Sequence, residues 1–101
     1  MKYQKLVRDR IPEIIEAHGE TPVIRILDTE EYLECLERKL DEEVAEYHEE
    51  KNLEELADVL EVVFALSKAA GYSREALLAA YEKKHEARGG FDERIFLIRK
   101  E

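Results

Sequence analysis

The chain has little of the residues that cross-link or interrupt a polypeptide. With one cysteine, Cys35, it can form neither an internal disulfide nor a thiolate metal site, so we expect a reducing compartment. Only four glycines and two prolines, in a chain that is 41% charged, favour long helices over a sandwich or a barrel.

Long hydrophobic runs are also lacking. The longest is the six residues from Ala76 to Tyr81, and Met1 is not followed by an apolar segment of the kind found in signal peptides. A membrane-spanning helix needs about 20 consecutive, mostly apolar residues. We therefore expect no membrane partner, no signal peptide and a cytoplasmic location.

Basic residues are much fewer than acidic residues. Sixteen Lys and Arg residues stand against twenty-five Asp and Glu residues, which gives a formal net charge of −9. This charge repels nucleic-acid polymers, so none is expected as a partner. A phosphate-bearing substrate would need a bound divalent cation or a local basic cluster. The length is that of one small domain, and we predict a single domain over residues 1–101.

Start and stop signals for helices occur in four places. Pro12 and Gly19 suit the two ends of a short helix, capping boxes begin at Asp28 and Asn52, and Ser73 can cap a last helix. The predicted helices span residues 12–18, about 29–50, about 53–70 and about 74–87. The apolar segments 23–27 and 95–98 are predicted to be strands that pair. The expected fold is mainly α, an antiparallel helical bundle with a short accessory β-hairpin.

One carboxylate interrupts an apolar stripe. Leu33, Leu36, Leu40 and Tyr47 recur at helical spacing on the second predicted helix, and Glu43 lies in the same register. A carboxylate on a buried stripe needs a compensating partner. Glu43 is therefore the first candidate for a site residue.

Four carboxylates are expected to converge at the turn near residues 51–52. In antiparallel helices joined by so short a turn, Glu43 lies level with Asp58 and Glu46 with Glu55, with no basic residue among them. Oxygen-only ligands select hard cations, Mg²⁺ first and Mn²⁺ second. Two alternatives stay open, namely exposed helix acids and a buried salt-bridge cluster.

Basic residues gather at two places in this acidic chain. Lys84 and Arg88 are four residues apart before a Gly-Gly pair that lets a phosphate approach the backbone, and Lys5 and Arg8 form a second patch. All four are candidate phosphate ligands. The alternative for each is an ordinary surface charge.

Four motifs occur in one order over nearly the whole chain, namely KLVRDRIPEII at 5–15, KLDEEVAE at 39–46, EELADVL at 54–60 and KHEARGGF at 84–91. As a set they resemble the all-α NTP pyrophosphatase superfamily, which includes MazG. The chain is most similar to its small phosphoribosyl-ATP pyrophosphohydrolase-like members. The resemblance implies the MazG-like type of helical bundle.

The resemblance also implies an activity. It indicates Mg²⁺-dependent hydrolysis of a nucleoside triphosphate between the α and β phosphates, with Glu43, Glu46, Glu55 and Asp58 as metal ligands. The products are a nucleoside monophosphate and pyrophosphate, and non-canonical nucleotides are among the candidate substrates. Eight residues separate Glu46 from Glu55, fewer than is common in the family, which leaves the substrate open.

The expected roles depend on this chemistry. Glu43 or neighbouring Glu42 would act as general base for the attacking water, and Lys84 and Arg88 would hold the departing phosphates.

The third predicted helix is apolar around most of its circumference, so a homodimer or higher homo-oligomer is expected. Two rivals remain: phosphoribosyl-ATP pyrophosphohydrolase of histidine biosynthesis, and a non-catalytic helical interaction module.

Overall fold

The computed structural model describes residues 4–101, and this part of the chain is mainly helical. It contains four α-helices in chain order and no β-strand between residues 4 and 101. The helices are α1 (Ile11–Ala17), α2 (Thr29–Glu50), α3 (Leu53–Ala69) and α4 (Arg74–Arg88). The prediction of a mainly α protein is confirmed, and every predicted boundary lies within about one residue of the observed one.

The helices begin where side chains cap them. Each of the three long helices has its first free backbone N–H groups served by an N-cap oxygen, which offsets part of the cost of starting a helix. The three bonds run from Glu31 N to Asp28 Oδ1 at 2.9 Å, from Glu55 N to Asn52 Oδ1 at 2.9 Å and from Ala76 N to Ser73 Oγ at 3.1 Å. All three predicted caps are confirmed.

A very short turn joins α2 to α3. Lys51 adopts the left-handed conformation, with φ of 51°, and its N–H donates to the carbonyl of Tyr47 at 2.7 Å. Asn52 then starts α3 at once. Because only these two residues separate the helices, α3 returns along α2 and packs against it.

The core between α2 and α3 is small. Among the described apolar side chains, Leu36 is 3% exposed and Val62 is 7% exposed, and none of the others is buried as deeply. The remaining deeply buried residue is Glu43, on the predicted stripe. Helix α4 packs on α3, where the guanidinium of Arg74 lies 3.9 Å from the ring centre of Phe64.

The predicted β-hairpin is not formed between residues 4 and 101. Segments 23–27 and 95–98 are both irregular, and neither makes a backbone–backbone hydrogen bond. Their large apolar side chains are mostly exposed, from Val23 at 97% to Ile24 at 60%, and Leu27 is half-buried. A β-branched sequence supplies strand propensity, but a strand also needs a hydrogen-bonded neighbour.

The chain is elongated. Its radius of gyration is 17.8 Å, whereas about 13 Å is typical of a compact domain of this length. Its accessible surface is 9673 Å², against about 5,900 Å² for a compact monomer of this mass. Much apolar surface is therefore exposed in the single chain.

Within the described part of the chain, no helix is both long enough and apolar enough to cross a bilayer.

Candidate metal centre

The turn between α2 and α3 brings carboxylates together in two overlapping groups. Glu42, Glu43 and Glu46 form one group on α2, and Glu43, Glu55 and Asp58 form the other across the two helices. In each group, one ligand atom from every residue lies within 4.8 Å of the others. The predicted convergence across the helix pair is present, with Glu46 grouped with its α2 neighbours rather than with Glu55.

Glu43 is the centre of this arrangement. The residue is 7% exposed, and its Oε2 atom is buried without a hydrogen-bond partner. The Oε2 atom of Glu55 is in the same condition. Buried carboxylate oxygens normally have partners, so these two need a further donor or a cation. An all-oxygen set with unsatisfied buried atoms fits a hard divalent ion.

The electrostatics of the site favour protonation when no cation is bound. Burial raises the pKa of Glu43 above its ordinary value, and the neighbouring carboxylate of Glu46 raises it further, while Lys39 opposes both effects. Burial, together with the charges of Asp58 and Glu43, also raises the pKa of Glu55. Both carboxyls therefore hold their protons more tightly here than they would in water.

Two basic residues lie among the carboxylates, so the prediction that there are none is wrong. The first is Lys39, one turn before Glu43 on α2. Its ammonium lies 3.4 Å from Glu43 Oε1 and 3.4 Å from Glu42 Oε2, and its side chain is 17% exposed. The spacing of three and four residues on one helix carries this signal in the sequence. Lys39 partly neutralises the α2 side of the site.

The second basic residue is Arg8, which comes from the irregular segment before α1. Its Nη2 atom lies 2.5 Å from Asp58 Oδ1, and its Nη1 atom lies 3.8 Å from Glu61 Oε1. The sequence predicts Arg8 as a phosphate ligand, but no local pattern pairs it with an aspartate fifty residues away. Lys5, the other predicted ligand from this segment, is exposed.

Lys84 and Arg88 are not brought to the carboxylates within the described chain. Both are exposed on α4, which contacts α3 but not α2 between residues 4 and 101. Gly89, which comes directly after them, has a φ of 79° and ends the helix. If these residues hold phosphates at the acidic site, another arrangement of chains must bring them there.

A cleft of about 480 Å³ is lined by none of the four candidate metal ligands, and its link to the acidic site runs through Glu61. Glu61, which contacts Arg8, forms part of its wall together with Asp9. The rest of the lining mixes aromatic and basic side chains, chiefly those of Tyr32, Phe64, Tyr72, Lys68 and Arg74. Sequence reasoning missed this cleft, because its residues come from three separate stretches of the chain.

Part of the chain is similar to a protein of unknown function. A stretch of 42 residues is 67% identical to part of an uncharacterized protein from Mycolicibacterium smegmatis. The match covers 42% of this chain and 43% of that protein, so the chain spans less than half of its length. No family model matches the chain, and no solved structure matches it.

Proposed function

We propose that the protein is a Mg²⁺-dependent nucleoside triphosphate pyrophosphohydrolase of the MazG-like type. The observation that carries the proposal is the buried Glu43, whose Oε2 atom has no partner inside a cluster of carboxylates from two helices. Such an arrangement is costly unless a cation joins it. The motif resemblance supplies the choice of reaction.

The metal ligands in this proposal are Glu43, Glu55 and Asp58, with Glu46 completing the set from α2. These carboxylates would hold Mg²⁺, for which Mn²⁺ could substitute, and the ion would supply positive charge to offset the charge that develops on the phosphoryl oxygens. Glu42, which is half-buried and paired with Lys39, belongs to the α2 group of carboxylates and would accept a proton from the attacking water.

The cleft beside Glu61 is the part of the surface that suits the nucleoside. Its aromatic side chains, including Tyr32 and Tyr72, offer stacking surface, and its two basic side chains offer hydrogen-bond donors. The triphosphate would then extend from the cleft towards the carboxylates. Lys84 and Arg88 would hold the two departing phosphates.

A second copy of the chain completes the site in this proposal. Leu53, Leu56 and Leu60 on α3 are 81%, 47% and 51% exposed, which is unfavourable for a helix in water. Packing of α3 against its copy about a twofold axis would bury these residues in a four-helix bundle. It would also allow α4 of one chain to approach the carboxylates of the other.

Product analysis in ¹⁸O-labelled water tests the reaction. Phosphorus NMR of a nucleotide panel that includes phosphoribosyl-ATP should show pyrophosphate and a labelled nucleoside monophosphate, only when Mg²⁺ is present. Orthophosphate with a nucleoside diphosphate as first products would contradict attack at the α phosphorus. Preference within the panel separates the general enzyme from phosphoribosyl-ATP pyrophosphohydrolase, since both break the same bond.

A non-catalytic interaction module is separated by a second measurement. Such a module has no specific cation site, so Mg²⁺ would leave its melting temperature unchanged. A metal-binding enzyme should be stabilised, by about 2.7 kcal/mol when the free Mg²⁺ concentration is a hundred times the dissociation constant.

A further inference from the structure

Arg8 is held at the acidic site by one short and one longer contact. Its Nη2 atom lies 2.5 Å from Asp58 Oδ1, and its second contact, to Glu61, is longer at 3.8 Å. Asp58 is also one of the three residues whose ligand atoms lie within 4.8 Å of one another across α2 and α3. The guanidinium is therefore bonded to a carboxylate of the candidate metal centre.

We propose that Arg8 is an internal counter-ion that occupies the Asp58 side of the metal centre and is exchanged for the divalent cation. This inference rests on the proposed function, because it takes the carboxylates to be the cation site. A divalent ion coordinated by Asp58 repels the adjacent guanidinium and competes with it for the negative charge of the same carboxylate. Each occupant thus weakens the binding of the other, and the linkage is reciprocal.

The surroundings of Arg8 allow it to leave Asp58 at a small cost in free energy. The side chains of Arg8 and Asp58 are 53% and 37% exposed, so the guanidinium is readily rehydrated when it leaves. Segment 4–10 is irregular, and the adjoining helix α1 has no buried residue. Lys39 differs in both respects, since its side chain is 17% exposed and it lies on the same helix as its partners. Arg8 is the exchangeable cation of the two and Lys39 the fixed one.

Cation binding then has a consequence for the first residues of the described chain. When Asp58 changes partner, Arg8 keeps its longer contact with Glu61 on α3, at 3.8 Å, and its Nη2 group becomes available to a phosphate oxygen. Loading of the metal centre and loosening of the contact between Arg8 and α3 are therefore coupled events.

Calorimetric Mg²⁺ titration of the whole chain tests the exchange. Arg8→Gln should tighten Mg²⁺ binding about threefold to fivefold, which is the upper part of the range expected from losing an exposed ion pair. The matched control is Arg10→Gln, which removes the same charge from a nearby position. Arg10 pairs with Glu13 at 3.5 Å and not with the cluster, so its substitution should change the affinity by less than about 1.5-fold.

A second readout uses the unsubstituted protein and is independent of activity. The Nε–Hε NMR signal of Arg8 should shift on addition of saturating Mg²⁺, and rotation of its guanidinium should become faster, while the Arg10 signal stays in place. An unmoved Arg8 signal with Mg²⁺ bound would overturn the exchange and leave the proposed function intact. So would equal affinities of the two variants, or weaker binding by Arg8→Gln. Absence of Mg²⁺ binding by every form would overturn the proposed function as well.

Discussion

The acidic and the basic parts of the proposed site are built in different ways. The carboxylates lie on two helices joined by a two-residue turn, so the backbone itself fixes their separation. Lys84 and Arg88 lie on α4, which does not touch α2 within residues 4–101. Short connections place side chains reliably, whereas residues on distant elements depend on packing that one chain does not provide.

The largest effect is expected from removing carboxylates of the acidic part. Glu43→Gln and Asp58→Asn should each lower hydrolysis by about a thousandfold and abolish the rise in melting temperature with Mg²⁺, because each variant loses a charged ligand. Assay of pyrophosphate release and thermal unfolding with and without Mg²⁺ measure both effects. Glu37→Gln, an exposed residue of α2, is the control and should change neither. If Mg²⁺ still stabilises both test variants, Glu43 and Asp58 are not the metal ligands.

Removing the basic part should have a smaller and more selective effect. Lys84→Ala and Arg88→Ala should lower kcat/KM by about a hundredfold or less while Mg²⁺ affinity stays unchanged, because they contact phosphates and not the metal. Lys83→Ala, at the adjacent position on α4, is the control. Steady-state kinetics and calorimetry on the same samples check the separation. A loss of Mg²⁺ affinity equal to the kinetic loss would show that the two parts are not distinct.

Preventing the association of two chains tests whether the basic part of the site comes from a partner chain. Leu56→Glu places a charge on the exposed apolar face of α3 and should raise the dimer dissociation constant about thirtyfold, equivalent to about 2 kcal/mol. Val23→Glu, at a residue that is 97% exposed and away from α3, should leave it unchanged. Sedimentation equilibrium measures the constant. If the unsubstituted chain is monomeric at micromolar concentration, the basic part cannot come from a partner.

The smallest expected effect concerns the free energy of unfolding of the metal-free protein, which the buried carboxylate of Glu43 lowers. Because the folded pKa of Glu43 is raised, the folded chain binds its proton more tightly than the unfolded chain does. The stability of the metal-free protein should therefore fall as pH rises from the ordinary carboxyl range through that raised pKa. Glu43→Gln removes the charge and should raise the melting temperature at neutral pH by about 2 to 4 °C.

The control for this effect is the pH itself. At about pH 4 the carboxyl of Glu43 is largely protonated in the unsubstituted protein, so the advantage of Glu43→Gln should disappear. Thermal unfolding followed by circular dichroism in the presence of a chelator gives both values. A constant advantage at all pH values would mean that packing, rather than charge, is responsible.

The helices were predictable because their signals are local. Asp28, Asn52 and Ser73 cap the helices they were expected to cap, and the apolar register placed Glu43 on a buried face. The pair formed by Lys39 and Glu43 was also within reach of the sequence, since they are four residues apart on one helix.

The contacts between distant segments were not predictable in the same way. Nothing in the neighbourhood of Arg8 specifies Asp58, because the pairing depends on where α1 and its preceding segment come to lie against α3. The two apolar segments at 23–27 and 95–98 have the composition of strands, but composition does not supply a partner. No single stretch of the sequence contains a pattern that predicts the cleft at Phe64 and Arg74.

The left-handed Lys51 turn sets the rotational phase of α3 relative to α2. Each residue added within a helix rotates the rest of that helix by about 100°, and a two-residue connection has no slack to absorb this rotation. A one-residue insertion after Glu50 would therefore carry Glu55 and Asp58 round to a different face, while a four-residue insertion would nearly restore their direction. Four added residues would also displace Glu55 and Asp58 by about 6 Å along the axis, so neither insertion keeps them level with Glu43 unless a longer loop replaces the turn altogether.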